Sequence, residues 1–133
     1  MSDSHEDVEL PLNGKTVDRC FVDAAFGLQF FAEHKEITIR IGGKFSVRSG
    51  SEDLHFAPAE RVGLGRALVV VGKVVEAGVA RKDGSLELRF TDGDALTVPP
   101  DPDYEAWELA GPEGMLVVST PGGGLAVWKA RLR

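Results

Sequence analysis

Phe26-Gly27-Leu28-Gln29-Phe30 and Ile37-Thr38-Ile39-Arg40-Ile41 decide the fold class. In each run an apolar side chain stands at every second position, the repeat of a half-buried β-strand. If Phe30 faces Ile37, then Leu28 faces Ile39 and Phe26 faces Ile41. That one register sets every apolar residue opposite another on a single face, and a slip of one position would turn them all to solvent. Glu33-His34-Lys35 then falls at the exposed loop. Gly42-Gly43-Lys44 reads as the next turn, a three-residue loop that sets Phe45 opposite Ile41 and Val47 opposite Ile39.

Downstream, the same alternation returns. Val75, Ala77 and Val79 lead to Lys82-Asp83-Gly84-Ser85, and Asp-Gly between alternating runs is a hairpin signal. A two-residue turn sets Val79 opposite Leu88 and Ala77 opposite Phe90. Leu86, Leu88 and Phe90 share one face; Glu87, Arg89 and Thr91 share the other. Asp92-Gly93-Asp94 turns the chain again and sets Phe90 opposite Leu96 and Leu88 opposite Val98. Beyond the prolines at 99, 100 and 102, Trp107 and Leu109 alternate, with Leu116 and Val118 able to face them. Leu125, Val127 and Trp128 follow the Pro121-Gly122-Gly123-Gly124 turn. Upstream, Val8, Leu10 and Leu12 alternate around Pro11, which suits an edge strand because proline cannot donate to a ladder.

One segment reads differently. Pro58-Ala59-Glu60 can open a helix, and Leu64, Leu68 and Val71 fall on one helical face beside Ala67. The spacing predicts one short helix near 59–71. The fold class is therefore α+β, mainly antiparallel β, with about eight or nine strands in two β-meander units. Residues 1–7 read as a disordered acidic tail and 8–133 as a single globular domain, with the basic end from Lys129 to Arg133 expected to fray. Gly14-Lys15-Thr16-Val17-Asp18 is similar to Gly72-Lys73-Val74-Val75-Glu76, 58 residues on, and a meander follows each. An internal duplication would explain that, and so would the general likeness of any two meanders.

Composition bounds the function. The chain has 133 residues, 43% hydrophobic and 27% charged, enough to bury a core without metal or disulfide. Its single cysteine, Cys20, sits in an apolar stretch and reads as a small buried hydrophobe. One cysteine and an acidic N-terminus without an apolar region point to the cytoplasm. The net charge of −6 disfavours nucleic acid and anionic membranes as partners.

Motifs for chemistry are few. His5, His34 and His55 have no second ligand at metal spacing. His34-Lys35-Glu36 matches half of a zinc-deaminase signature, but the Pro-Cys-x-x-Cys half is absent. Asp92-Gly93-Asp94 lacks the remaining ligands of a calcium loop. Gly63-Leu64-Gly65 lacks the third glycine of a dinucleotide fingerprint, and Ile41-Gly42-Gly43-Lys44 lacks P-loop spacing. No nucleophile elbow occurs, and no two carboxylates are placed across a cleft. No cofactor, metal or catalytic residue is assigned.

One segment stands out by composition. From Asp92 to Glu108 there are six acids (Asp92, Asp94, Asp101, Asp103, Glu105 and Glu108) and no lysine or arginine. Tyr104 and Trp107 sit among them. Acids around amphipathic aromatics suit a protein-binding surface, since Tyr and Trp dominate hot spots. The alternative is a solvated connection whose tryptophan plugs the core.

Phe90-Thr91-Asp92-Gly93-Asp94-Ala95-Leu96-Thr97-Val98, Pro99-Pro100-Asp101-Pro102-Asp103-Tyr104-Glu105-Ala106-Trp107-Glu108-Leu109 and Pro121-Gly122-Gly123-Gly124-Leu125-Ala126-Val127-Trp128 carry a resemblance. With Leu10-Pro11-Leu12-Asn13-Gly14, these motifs make the chain resemble a family of small uncharacterised bacterial proteins, a domain of unknown function. The likeness covers most of the chain and implies no site, because that family carries no established activity. A looser, compositional likeness is to immunity proteins of bacterial toxin systems. The resulting expectation is a non-enzymatic module that binds a protein, in one form a neutraliser of a basic toxin. The competing expectation is a small-ligand binder or small enzyme with a pocket between the two meanders.

Overall fold

The computed structural model describes residues 2–129. Thirteen strands among them form two antiparallel sheets. They are β1 (Ser2–Ser4), β2 (Val8–Glu9), β3 (Arg19–Val22), β4 (Phe26–Phe30), β5 (Ile37–Ile41), β6 (Phe45–Ser49), β7 (Glu52–Phe56), β8 (Val75–Ala80), β9 (Leu86–Phe90), β10 (Ala95–Val98), β11 (Trp107–Ala110), β12 (Leu116–Ser119) and β13 (Leu125–Trp128). Sheet one runs β1-β13-β12-β11-β5-β4-β3, and sheet two runs β2-β8-β9-β10-β6-β7. Apolar faces of the two sheets meet in one core that includes Phe26, Leu28, Ile39, Leu88, Leu96 and Trp107. No described helix is long and apolar enough to cross a membrane.

The deciding hairpin has the register read from its alternation: Phe26 with Ile41, Leu28 with Ile39, Phe30 with Ile37. The next turn does not. Gly42 and Gly43 both donate to the Ala106 carbonyl at 3.0 Å and carry the chain out of sheet one. β6 pairs with β10 and β7 in sheet two, and Trp107, not Phe45, lies beside Ile41. Phe45 and Trp107 are both aromatic residues that open a strand, so local pattern could not choose between them.

Two further registers are corrected. The β8–β9 loop holds three residues, because Arg81 and Ser85 close it and Gly84 takes a left-handed φ of +95°. A bulge lies between Val75 and Ala77. Together they set Gly78, not Val79, opposite Leu88, and the buried face of β8 is Val75, Gly78 and Ala80. The β9–β10 loop closes in the same way between Phe90 and Asp94, so Leu88 lies beside Leu96. The face of β9 is unchanged: Leu86, Leu88 and Phe90 are buried. On β12 the register is shifted by one, and Val117 rather than Leu116 faces Leu109.

The segment expected as a helix is a 3-10 helix, Arg61–Val70. Its buried residues are Leu64, Ala67 and Val70, while Leu68 and Val71 are exposed. A 3-10 helix has three residues per turn, so its buried stripe recurs every third position rather than every third and fourth. The N-terminal residues expected to fray are placed on the body. Ser2–Ser4 pairs with Leu125–Val127, and the Asp7 carboxylate accepts from the Lys82 amide at 2.8 Å. Residues 130–133, at the basic end, lie outside the described residues.

The two sheets share one plan. The meander β3-β4-β5 belongs to sheet one, and the chain then crosses to place β6-β7 beside β10. The meander β8-β9-β10 belongs to sheet two, and the chain then crosses to place β11-β12 beside β5. The registers correspond as well: Leu28–Ile39–Leu109 in sheet one matches Leu88–Leu96–Val47 in sheet two. The two similar Gly-Lys segments pair with each other. Thr16 bridges Val74, Gly14 donates to the Val75 carbonyl at 2.8 Å, and Val17 donates to the Lys73 carbonyl at 2.9 Å.

Leu88 is fully buried at the centre of sheet two. Leu88→Ala is expected to cost roughly 2–4 kcal/mol, from lost transfer energy plus a cavity. Urea unfolding measures it, and a loss below about 1 kcal/mol would contradict this packing.

Candidate functional site

The acidic segment is divided by the fold. Asp92 and Asp94 lie at the β9–β10 turn, where both carboxylates meet Lys73 Nζ, Asp94 at 2.9 Å. Asp94 Oδ1 also accepts from the Gly50 amide at 3.0 Å. The amide bond and then Lys73 hold the Asp94 carboxyl below the ordinary range, and Lys73 with the Asp94 amide does the same for Asp92. Lys73 thus pairs with both acids and leaves one net negative charge at the turn.

The remaining acids stand at the far end of β10, on the crossing from sheet two to sheet one. Asp101 Oδ1 accepts from the Asp103 amide at 2.8 Å, and the Gly122 amide donates to the Asp101 carbonyl at 2.8 Å. Asp103, Tyr104 and Glu105 are exposed, and Asp101 raises the Tyr104 phenol. Trp107 is not part of this surface. It is 1% exposed, and its Nε1 donates to the Gly84 carbonyl at 2.9 Å. Glu108 is half-buried on the outer face of β11 beside Arg40. The structure thus joins Asp101, Asp103, Tyr104 and Glu105, and separates them from Asp92, Asp94 and Trp107.

Asp94 gives a pH signature. A carboxyl whose folded pKa is depressed contributes stability above its unfolded value, near 3.8, and loses it as pH falls through the folded value. Asp94→Asn is expected to be less stable than wild type at pH 7, with the gap closing towards pH 3. Urea midpoints at both values test this; a gap of equal size at both would contradict it.

A groove that the sequence did not indicate lies at one end of sheet two. Its volume is about 630 Å³. Ala57 and Pro99 are its more open apolar residues, buried Phe45, Phe56, Leu86 and Val98 lie along it, and Lys44, Ser46, His55, Glu60, Glu87 and Thr97 supply polar groups. Four of these are cross-strand neighbours in one row: His55 beside Ser46, Ser46 beside Thr97, Thr97 beside Glu87. Ser46 Oγ and Thr97 Oγ1 are hydrogen-bonded at 2.8 Å. Glu87 is engaged by Arg81 at 3.2 Å, whereas Lys44, His55 and Glu60 make no ion pair among the described residues.

The corresponding row of sheet one is built differently. There Phe21, Gly27, Arg40, Glu108 and Val118 are neighbours in turn. The Phe21 ring lies where a Cβ on Gly27 would stand, and the Arg40 guanidinium lies 5.6 Å from the ring centroid. Arg40 is fixed in turn by Asp23 at 2.9 Å. In sheet two Val79 and Glu87 stand at the positions of Phe21 and Gly27, and Thr97 and Ser46 at those of Arg40 and Glu108.

Ser46, His55 and Thr97 are outward-facing polar residues of alternating strands, the commonest residues of any half-exposed sheet. Only the pairing of β6 with β10, about 50 residues apart in sequence, brings them together. Burial pushes the Cys20 thiol up to about 11, which keeps it protonated. No group of three His, Cys, Asp or Glu among the described residues is placed to hold a metal ion.

No curated protein and no solved structure shows significant similarity to the chain. A family model, described as a family of unknown function (DUF6188), matches residues 8–129. That span takes in both meanders, both crossings and every residue of the groove, and the chain belongs to this family.

Proposed function

We propose that the chain is a non-enzymatic binding module whose ligand, a segment of a basic protein, lies in the groove of sheet two. The observation that carries this reading is the groove itself. It combines a pair of hydroxyls, charged side chains and the apolar surface of Ala57 and Pro99 in a volume typical of binding sites. Pro99 on its wall leads within two residues into the acidic crossing. Asp101, Asp103 and Glu105 would draw a cationic partner towards this end of the molecule, and exposed Tyr104 adds a hot-spot residue on the same crossing. Neutralisation of a basic toxin is one form this function would take.

Binding is favoured over catalysis by the geometry of the hydroxyls. Ser46 and Thr97 bond each other, and His55 bonds neither, so no base activates a nucleophile. The shared strand order, the matched registers and the mutual pairing of the two Gly-Lys segments support a tandem duplication.

Selection of displayed random peptides on the immobilised protein tests the proposal. Enriched peptides are expected to be basic and apolar. Thr97→Trp, which fills the groove from an exposed position, should weaken them at least tenfold at unchanged melting temperature. Asp101→Lys with Asp103→Lys should chiefly slow association, and salt should weaken binding as the Debye length shrinks from about 10 Å at 0.1 M to about 3 Å at 1 M. Peptides that bind Thr97→Trp as tightly as wild type would overturn the site.

A further inference from the structure

We infer that the open edge of β3 is a self-association surface, where two copies of this chain join their first sheets antiparallel about a two-fold axis at Phe21. The surface belongs to sheet one and is independent of the groove in sheet two. β3 ends sheet one, and no described strand lies beyond it. Its counterpart in sheet two, β8, is covered: β2 pairs with it and sets Glu9 beside Val79. By the 58-residue offset that relates Phe21 to Val79, the counterpart of Val8–Glu9 is Arg66–Ala67. Those two residues are wound into the 3-10 helix and form no strand beside β3. Both described ends of the chain, in β1 and just after β13, lie at the opposite edge of sheet one. An edge strand leaves alternate N–H and C=O groups free to pair, and β3 has neither the proline nor the lysine that blunts such an edge.

A second copy is the occupant because the edge complements itself. Residues opposite each other in an antiparallel pair share a face, so the two-fold axis must pass through a residue rather than between two. With the axis at Phe21, Arg19 of each copy faces Asp23 of the other, and Cys20 of each faces Val22 of the other. An axis at Cys20 would set Arg19 opposite Phe21, and one at Val22 would set Phe21 opposite Asp23, so neither pairs the charges. The apolar pair gains as well. Cys20 packs against the core and Val22 is 45% exposed, so their meeting covers surface that one copy leaves in water. The Phe21 ring does not obstruct the approach, because it lies over Gly27 on the inner side of the strand. Asp23 already holds Arg40 at 2.9 Å, and Arg19 of the second copy would give that carboxylate a second guanidinium. The two seven-stranded sheets would become one continuous sheet without a free edge at β3.

Sedimentation equilibrium of the full-length protein, from about 10 μM to about 1 mM, tests the association. The expected species at the upper end is a dimer of the 14.3 kDa chain. Val22→Lys, at an exposed position, should weaken it at least about tenfold with an unchanged melting temperature. Cross-linking tests the register and does not depend on that variant. Opposite residues of an antiparallel pair stand about 4.5–5.5 Å apart at Cα, within disulfide range. Val22→Cys should therefore link to native Cys20 of the second copy under mild oxidation and run as a dimer on a non-reducing gel. Val22→Cys with Cys20→Ser should not, because the two introduced thiols are then offset along the strands. A wild type that stays monomeric throughout would overturn the inference. So would a dimer undiminished in Val22→Lys, or equal cross-linking with and without Cys20. A dimer dissociated by Thr97→Trp instead would give the association to the groove and overturn the edge. Peptide binding to the groove should be the same in Val22→Lys as in wild type, so failure here leaves the proposed function standing.

Discussion

Trp107→Ala is expected to cost about 3–5 kcal/mol, a large share of the roughly 5–15 kcal/mol that holds a domain of this kind together. Trp107 opens β11 and sits beside Ile41 in the core, 1% exposed. Truncation leaves a cavity between sheets that already pack closely. It also removes an indole N–H donor from the Gly84 carbonyl, but not the only one. Ser119 Oγ donates to the same oxygen at 2.7 Å, so that carbonyl keeps a partner. Most of the loss should therefore come from packing. Trp107→Phe, which restores much of the volume without the donor, should recover more than half of it. Urea unfolding of the two variants separates the contributions. Equal losses would mean that the hydrogen bond, not the cavity, dominates.

Gly84→Ala should rank next, with Gly93→Ala as its control. Both glycines close three-residue hairpin loops at nearly the same φ, +95° and +92°. Both substitutions therefore carry the left-handed penalty of about 1–2 kcal/mol. Their surroundings differ. A Cβ on Gly93 would meet nothing within 4 Å. A Cβ on Gly84 would stand 2.9 Å from the Gly124 amide nitrogen and carbonyl oxygen, and 3.1 Å from Ser119 Oγ. Those neighbours are backbone and a buried hydroxyl, which cannot swing aside. Overpacking should add about 1–3 kcal/mol, for a total near 2–5 kcal/mol at Gly84. Thermal melts of the two variants side by side give the difference directly. A Gly84→Ala melting temperature at or above that of Gly93→Ala would contradict the packing of this turn against β12 and β13.

The consequence for function lies in where these residues stand. Gly84 adjoins Ser85 and Leu86 on the groove wall, and Trp107 begins one residue after Ala106, whose carbonyl receives Gly42 and Gly43. The two crossings thus lean on each other behind the groove. A variant that loosens Trp107 or Gly84 should disturb binding through position alone, without removing any group that faces the ligand.

The sequence by itself determined the antiparallel β class and the apolar faces that β4, β5 and β9 turn to the core. The Phe26–Phe30 and Ile37–Ile41 hairpin was legible to the residue, because a two-residue period with one buried face admits a single register. The buried faces of β9 and of the deciding hairpin follow from the same rule, and so does the presence of a short helical segment near 59–71. What the sequence left open was decided by tertiary structure. A three-residue loop with a left-handed glycine and a two-residue turn have the same Asp-Gly signal, yet they shift the register by one. The period of the 3-10 helix depends on what it packs against, not on propensity. Whether Phe45 or Trp107 lies beside Ile41 depends on which crossing enters which sheet, and both open with an aromatic residue. The site was the least legible part. Its acids were visible as composition, but composition does not reveal that Lys73 pairs with two of them or that Trp107 is withdrawn into the core. The groove arises where β6 meets β10, and a space between distant strands has no residue of its own to be read.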